Sequence, residues 1–136
     1  MKVFVYGTLK HGYGNHHVLE GSRFVGKGCT VAMCCLYDAG FPVPRERGDA
    51  EVWGEVYEVT NPDTLRRLDA LEGEGRMYHR RVKLIQLETG KVIKAHTYVG
   101  DTKFWSHRRL KPWPLINGHT RPCYHWHRER QQWSAE

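Results

Sequence analysis

VFVYGTLKHGYGNHHVL, residues Val3–Leu19, runs an apolar strand directly into Tyr6-Gly7-Thr8-Leu9 and then into a polar stretch that holds Gly12 and Gly14. From Lys2 to Tyr6 the two alternating sets are both mostly apolar, which suits a strand covered on both faces. Where such a strand ends on glycine, the next backbone N–H groups can point outward together and form a nest for a carboxylate or an oxyanion. Glycine matters there because the missing side chain lets a ligand approach the backbone. Taken alone, strand-Gly-Thr is usually a turn, and the motif needs support from elsewhere in the chain.

Working outward, residues 10–23 carry turn and polar residues, with a short helical turn expected near Asn15–Leu19. Cys29 to Tyr37 reads as a second strand, ended by Asp38-Ala39-Gly40. Phe41-Pro42-Val43-Pro44 reads as extended, because proline restricts the residue before it. Val52 to Val59 is a third strand, and Gly54 inside it signals a bulge or a close backbone approach. The helix is the best-marked element. Asn61 can cap it, Pro62 suits its first position, Asp63 favours the positive end of the dipole, and Gly73 can close it in the left-handed conformation. Leu65, Leu68 and Leu71 form the expected apolar stripe. Tyr78 to Leu87 and Lys91 to Val99 read as two strands joined by a hairpin turn at Glu88-Thr89-Gly90. The pattern is an α+β domain, mostly β with one main helix, able to close into a small barrel.

At 136 residues the chain reads as one domain, 1–136, with a modest core. No apolar run approaches the ~20 residues of a membrane span, and no secretory signal is expected at the N-terminus. Cys34 and Cys35 are adjacent, a poor disulfide framework, so a reducing, cytoplasmic setting is expected, with Cys29, Cys34 and Cys35 as small buried residues. The net charge of +6 is uneven: residues 1–100 carry 14 basic and 12 acidic side chains, whereas residues 101–136 carry 7 and 3 and hold four of the five tryptophans. A near-neutral body, 1–100, is thus followed by a basic, aromatic tail.

Two further groups of residues bear on chemistry. Asp69 and Glu72 are spaced i, i+3 on the helix and share a face beside the leucines, so at least one carboxylate is drawn toward the interior. Glu72 lies in the last turn, where the dipole disfavours negative charge and raises its pKa above ~4.3. An end-of-helix glutamate beside glycine is a candidate general base; the plain alternative is a solvated helix face. Arg66 and Arg67 are placed toward Asp69 or solvent. Cys123, His125 and His127 alternate in the tail and would share one face of a strand, with His119 a fourth metal ligand in principle. A surface His-rich tail is the preferred reading, and no metal site is assigned.

Tyr6-Gly7-Thr8-Leu9, Gly54-Glu55-Val56-Tyr57, Leu68-Asp69-x-x-Glu72 and Tyr78-x-Arg80 follow one another in that order along residues 1 to about 100. The combination resembles the γ-glutamylcyclotransferase-like superfamily, especially the AIG2-like branch acting on γ-glutamylamines. The opening stretch matches that family's start, including Asn15, His16 and Leu19. The resemblance implies a small mixed β-barrel with one main helix packed alongside. It also implies an intramolecular reaction in which the α-amine of a γ-glutamyl group attacks its own γ-carbonyl, giving 5-oxoproline and a free amine without cofactor or metal. Matched to the family motif, Glu72 takes the role of general acid/base. The backbone of Gly7, Thr8 and Leu9 grips the α-carboxylate, stabilises the oxyanion, or both. Tyr6 and Tyr98 are candidate substrate contacts, though an aromatic strand residue is more often core. Tyr78 and Arg80 are expected to brace Glu72, with strand packing as the alternative, and His16 is assigned to packing or loop hydrogen bonding.

The partner implied is a small γ-glutamyl compound, with no membrane involved. A second function remains open: a non-catalytic binding protein on the same scaffold, its Arg, Lys and Trp tail contacting nucleic acid or a protein. The preferred reading of the tail is that its tryptophans pack back over the barrel with basic side chains around them.

Overall fold

The computed structural model describes residues 1–6, 15–30, 34–38, 42–101, 103–104, 111–112, 123–127 and 132–135; among these, side chains are described for 1–6, 15–30, 52–101 and 103–104. Among the described residues the elements run in the order β1 (Lys2–Val5), β2 (Arg23–Thr30), β3 (Cys34–Asp38), β4 (Pro42–Glu58), α1 (Pro62–Glu72), β5 (Tyr78–Leu87), β6 (Val92–Gly100), β7 (Lys111–Pro112), β8 (Cys123–His127) and β9 (Gln132–Ala135). A 3-10 turn at His16–Leu19 precedes β2.

Five strands close into a barrel. The order β1-β6-β5-β2-β4 returns to its start because β1 also pairs with β4. The β1–β6 pairing is parallel and the other four are antiparallel, which makes the barrel mixed. Closure removes exposed strand edges, the features that otherwise invite aggregation. It also explains why both faces of β1 are apolar. Phe4 points with Tyr6, Val52, Val56, Ile85, Leu87 and Ala95 into the barrel cluster. Val3 and Val5 point the other way, into a cluster with Leu19, Tyr57, Val59, Leu68, Tyr78 and Tyr98 that the helix covers.

Gly54 marks a close approach. A Cβ there would collide with the Val5 carbonyl oxygen and come within 2.7 Å of the Phe4 ring, so only glycine lets β4 cross β1 at that point. Gly28 is similar: a Cβ would sit 2.5 Å from the Gln86 carbonyl oxygen of β5.

The helix forms as its end signals dictate. Asn61 Oδ1 accepts a hydrogen bond from the Asp63 N–H at 2.9 Å, Pro62 opens the helix, and Gly73 closes it at φ 61°, ψ 49°. Leu68 is fully buried and Leu65 packs against the same cluster. Leu71, expected in the stripe, is 42% exposed. At 100° per residue it is rotated about 120° from Leu65, off the buried face.

β5 and β6 follow the hairpin expectation, with Gly90 at φ 90° in the turn and the Gly90 N–H bonded to the Leu87 carbonyl at 2.8 Å. Elsewhere the boundaries differ. The strand expected over Cys29–Tyr37 is two strands, β2 ending at Thr30 and β3 starting at Cys34, laid end to end along β4. Residues 31–33 lie outside the described residues. The segment read as turn up to residue 23 instead gives way at Arg23 to β2, with a bulge between Phe24 and Gly26. Its polar residues and two glycines hide the strand, because neither face carries an apolar run. β4 is longer than Val52–Val59: the extended proline segment is its first half and pairs with β3. Cys29 is buried, as expected; the side chains of Cys34 and Cys35 lie outside the described ones.

In the tail, β7 pairs with β3, β8 runs parallel to β4 at Glu51 and Val52, and β9 completes a hairpin with β8. The segment after residue 101 is thus tied by backbone to the β3–β4 arm. Cys123, His125 and His127 do lie on a strand at alternate positions. Their side chains, and those of the tail tryptophans, are outside the described ones. Among the described residues, no helix is long and apolar enough to cross a membrane.

Candidate active site

The last turn of α1 lies against the outer face of the barrel where β1, β6 and β5 run side by side. Parallel pairing sets Val3 opposite His96, so two residues further along both strands Val5 comes beside Tyr98. Tyr98 in turn is opposite Arg80 on β5, and Val5 is opposite Glu55 on β4. One row thus crosses four strands as Glu55–Val5–Tyr98–Arg80. Val5 and Tyr98 both belong to the cluster under the helix, which fixes the face.

Hydrogen bonds tie this row to the helix. The Tyr98 hydroxyl donates to Asp69 Oδ1 at 2.6 Å, and Arg80 Nε lies 3.2 Å from the same oxygen. The Tyr6 hydroxyl donates to the Tyr98 backbone carbonyl at 2.8 Å, linking the end of β1 to β6. Burial, the Asp69 hydrogen bond and the nearby carboxylates hold the Tyr98 phenol well above its ordinary pKa, so it remains a donor at all ordinary pH. Asp69 is therefore an orienting group, committed to Tyr98 and Arg80.

Glu72 is one turn further along α1 and partly buried. Burial pushes its carboxyl up from 4.5 to about 7. The direction matches the sequence expectation, but the cause is desolvation rather than the helix dipole. Its negative charge also acts on two buried phenols, raising Tyr78 and Tyr98 after the larger effect of burial. A carboxyl titrating near neutrality can both take and return a proton near neutral pH.

Glu72 and Tyr98 are close enough for the carboxylate charge to act on the phenol, whereas the Tyr6 ring belongs to the barrel-interior cluster and only its hydroxyl reaches the Tyr98 backbone carbonyl. Gly7, Thr8 and Leu9 follow directly from Tyr6 but lie outside the described residues. The supporting residues sort between the stated alternatives. Arg66 is on the solvent side, where it pairs with Asp63. Arg80 braces Asp69 rather than Glu72. Tyr98 is 2% exposed and belongs to the core, with its hydroxyl engaged by the helix. Tyr78 is buried beside Glu72 as expected, and the His16 ring packs against Tyr57 at 5.5 Å between centroids.

Sequence reasoning missed the Asp69–Tyr98–Arg80 network. The i, i+3 spacing of Asp69 and Glu72 put both carboxylates on one face, but the partners come from β5 and β6, and only strand register reveals them. It also gave no role to Glu55, whose Oε1 accepts from the Tyr57 hydroxyl at 3.1 Å. Among the described residues no group of three or more His, Cys, Asp or Glu side chains is arranged to hold a metal ion.

Comparison with known proteins gives this geometry a context. The family model described as Gamma-glutamyl cyclotransferase, AIG2-like matches residues 3–120, which extends past the last motif and into the basic tail. A Methanocaldococcus jannaschii protein provisionally named a gamma-glutamylcyclotransferase is 42% identical over 98 residues, covering 71% of this chain and 81% of its own. A "Gamma-glutamylcyclotransferase family protein" of Escherichia coli K12 is 38% identical over 90 residues, 66% of this chain and 76% of its own. The crystal structure of an AIG2-like protein from Mus musculus superposes with a TM-score of 0.67 at 31% identity, over 88% of this chain and 92% of the mouse chain.

Proposed function

The chain belongs to the Gamma-glutamyl cyclotransferase, AIG2-like family, and from that premise we propose that it cyclises a γ-glutamyl amine or γ-glutamyl peptide to 5-oxoproline and a free amine, with Glu72 as general acid/base. The nucleophile is the substrate's own α-amine, so no enzyme Ser or Cys nucleophile is required. A base is required, because the α-amine is an ammonium at neutral pH. Closing the lactam removes two protons from the α-nitrogen, and the departing nitrogen leaves as an ammonium that has gained two. Glu72 carries them from one nitrogen to the other, and a carboxyl with a pKa near 7 suits both directions of transfer.

The observation that carries the reading is a partly buried glutamate, raised to about 7, one turn from Asp69 and close enough to act on the buried Tyr78 and Tyr98 phenols. In this reading the backbone N–H groups of Gly7, Thr8 and Leu9 hold the α-carboxylate and the developing oxyanion. Tyr6 and Tyr98 support the site from the core, Tyr6 bonding the Tyr98 carbonyl and Tyr98 bonding Asp69. Folding the substrate so that amine meets carbonyl supplies much of the acceleration, with effective molarities of ~10⁵ M or more for well-oriented groups. The test is incubation with a panel of γ-glutamyl amines and peptides. Equal yields of 5-oxoproline and free amine are expected from at least one member; release of glutamate instead would mean hydrolysis and contradict the reading.

A further inference from the structure

Back along β6 from the buried Tyr98, the outer face of the barrel becomes accessible: His96 is half-buried and Lys94 exposed. Alternation puts both on the face of Tyr98, and the register sets Val82 and Leu84 of β5 opposite them. Apolar side chains collect there uncovered. Six large hydrophobic side chains are exposed among the described residues, and four of them, Met1, Val82, Leu84 and Val92, lie at the start of β1 or on the β5–β6 pair. Exposed apolar side chains gathered in one place, unlike scattered ones, mark a binding surface. A groove of about 380 Å³ opens here, lined by Met1, Lys2, Glu58 and Val82 and by Lys94, Ala95 and His96 of β6. That is large enough for a small molecule.

The groove carries more positive than negative charge. Glu58 is its one carboxylate, and it is already taken: Oε2 lies 3.0 Å from the Met1 ammonium and Oε1 3.8 Å from Lys2 Nζ. Lys94 makes no ion pair among the described residues. Arg80 reaches the same place, its Nη1 3.3 Å from Met1 Sδ while its Nε stays beside Asp69. His96 registers the surplus. Burial, then the Arg80 and Met1 charges, hold its ring below the usual histidine range, against the opposing pull of Asp69.

We infer that this groove is a second binding site, for a small organic carboxylate with an apolar body. The carboxylate is received by Lys94 and the His96 ring, and the body lies against Val82 and the Met1 side chain. The inference goes beyond the cyclotransferase reading and does not depend on it. One uncommitted lysine and one imidazole match a monoanion. An anion beside His96 favours the imidazolium, so the complex binds more protons than the free protein and affinity rises as pH falls. The charged groups around that ring are Arg80 on β5, Lys94 on β6, the Met1 ammonium and Lys2 at the start of β1, Glu58 on β4 and Asp69 on α1.

Amide NMR titrations of the full chain with hexanoate, acetate and hexanol test this. Hexanoate is expected to bind at least about tenfold tighter than either of the others, with shifts centred on residues 82–84 and 94–96. Lys94→Gln should weaken hexanoate by about tenfold or more. Hexanoate should bind tighter at pH 6 than at pH 8, and His96→Asn should abolish that difference. The variant is needed because Glu72 also titrates near 7. Equal affinity for hexanoate and acetate would leave the apolar body no role, and equal affinity for hexanoate and hexanol would leave the carboxylate none; either overturns the inference. Shifts centred on Glu72 and Tyr78, or a Lys94→Gln protein that binds hexanoate as wild type does, would also overturn it.

Discussion

A carboxyl group whose pKa rises on folding destabilises the fold when it ionises, and Glu72 is such a group. Its folded value is about 7 against 4.5 for the free side chain. Between those values the folded state binds more protons than the unfolded state, so stability falls as pH rises through that window. Below pH 4.5 both states are protonated and the penalty vanishes. Above pH 7 it is fully present, at most about 3 kcal/mol for a shift of this size. Glu72→Gln cannot ionise, so denaturant unfolding should show it more stable than wild type at pH 8 and nearly equal to it at pH 4.5. A variant less stable at pH 8 would mean that the ionised carboxylate makes compensating contacts. Such a penalty is a common mark of a site where function overrides stability. Asp69, one turn earlier, has a structural part: beside Arg80 and receiving the Tyr98 hydroxyl, it ties the helix to the barrel wall.

The helix is the element whose boundaries the residues announce most clearly. Asn61, Pro62 and Gly73 each do at a terminus what their chemistry permits, and the helix starts and stops accordingly. Gly73 also sets where Glu72 ends up. Its φ is 61°, and an added Cβ would lie 3.0 Å from Met77 Sδ. Gly73→Ala should therefore cost about 1–2 kcal/mol in chemical denaturation and lower activity by displacing Glu72. Unchanged stability would show that the turn readjusts freely. The β5–β6 hairpin was equally legible, since alternation and the Glu88-Thr89-Gly90 turn agree. β2 was not, because its two glycines and polar residues carry their meaning only against β4 and β5: Gly28 is needed by the backbone of Gln86, a neighbour far along the chain. Leu71 misled for a simpler reason. Spacing of three residues drifts around a helix, and the third leucine reaches solvent.

At the scale of the molecule, the barrel depends on β1, whose antiparallel partner is β4 and whose parallel partner is β6. Two apolar faces on a short N-terminal strand foretold its central position, but no local pattern could tell which strands flank it. The same holds for the candidate site. Glu72 and the Tyr6-Gly7-Thr8-Leu9 stretch were visible as motifs, whereas the row Glu55–Val5–Tyr98–Arg80 exists only after closure. The tail continues the fold: β7 to β9 add to the β3–β4 arm, and the family match reaches residue 120. A second latch joins its start to the barrel, where His79 Nε2 lies 2.5 Å from Asp101 Oδ2 and Asp101 Oδ1 accepts from the Phe104 N–H at 2.7 Å.

The central claim is that Glu72 moves the protons of an intramolecular cyclisation. It is tested most directly by 5-oxoproline release from wild type and Glu72→Gln side by side, on the best substrate of the panel and across pH 5 to about 9. The account predicts a wild-type rate that climbs with an apparent pKa near 7 as Glu72 ionises, and a loss of about 10²–10⁴ in kcat for the variant with its fold intact. A Glu72→Gln protein that turns over at the wild-type rate, with the same rise across neutral pH, would contradict it.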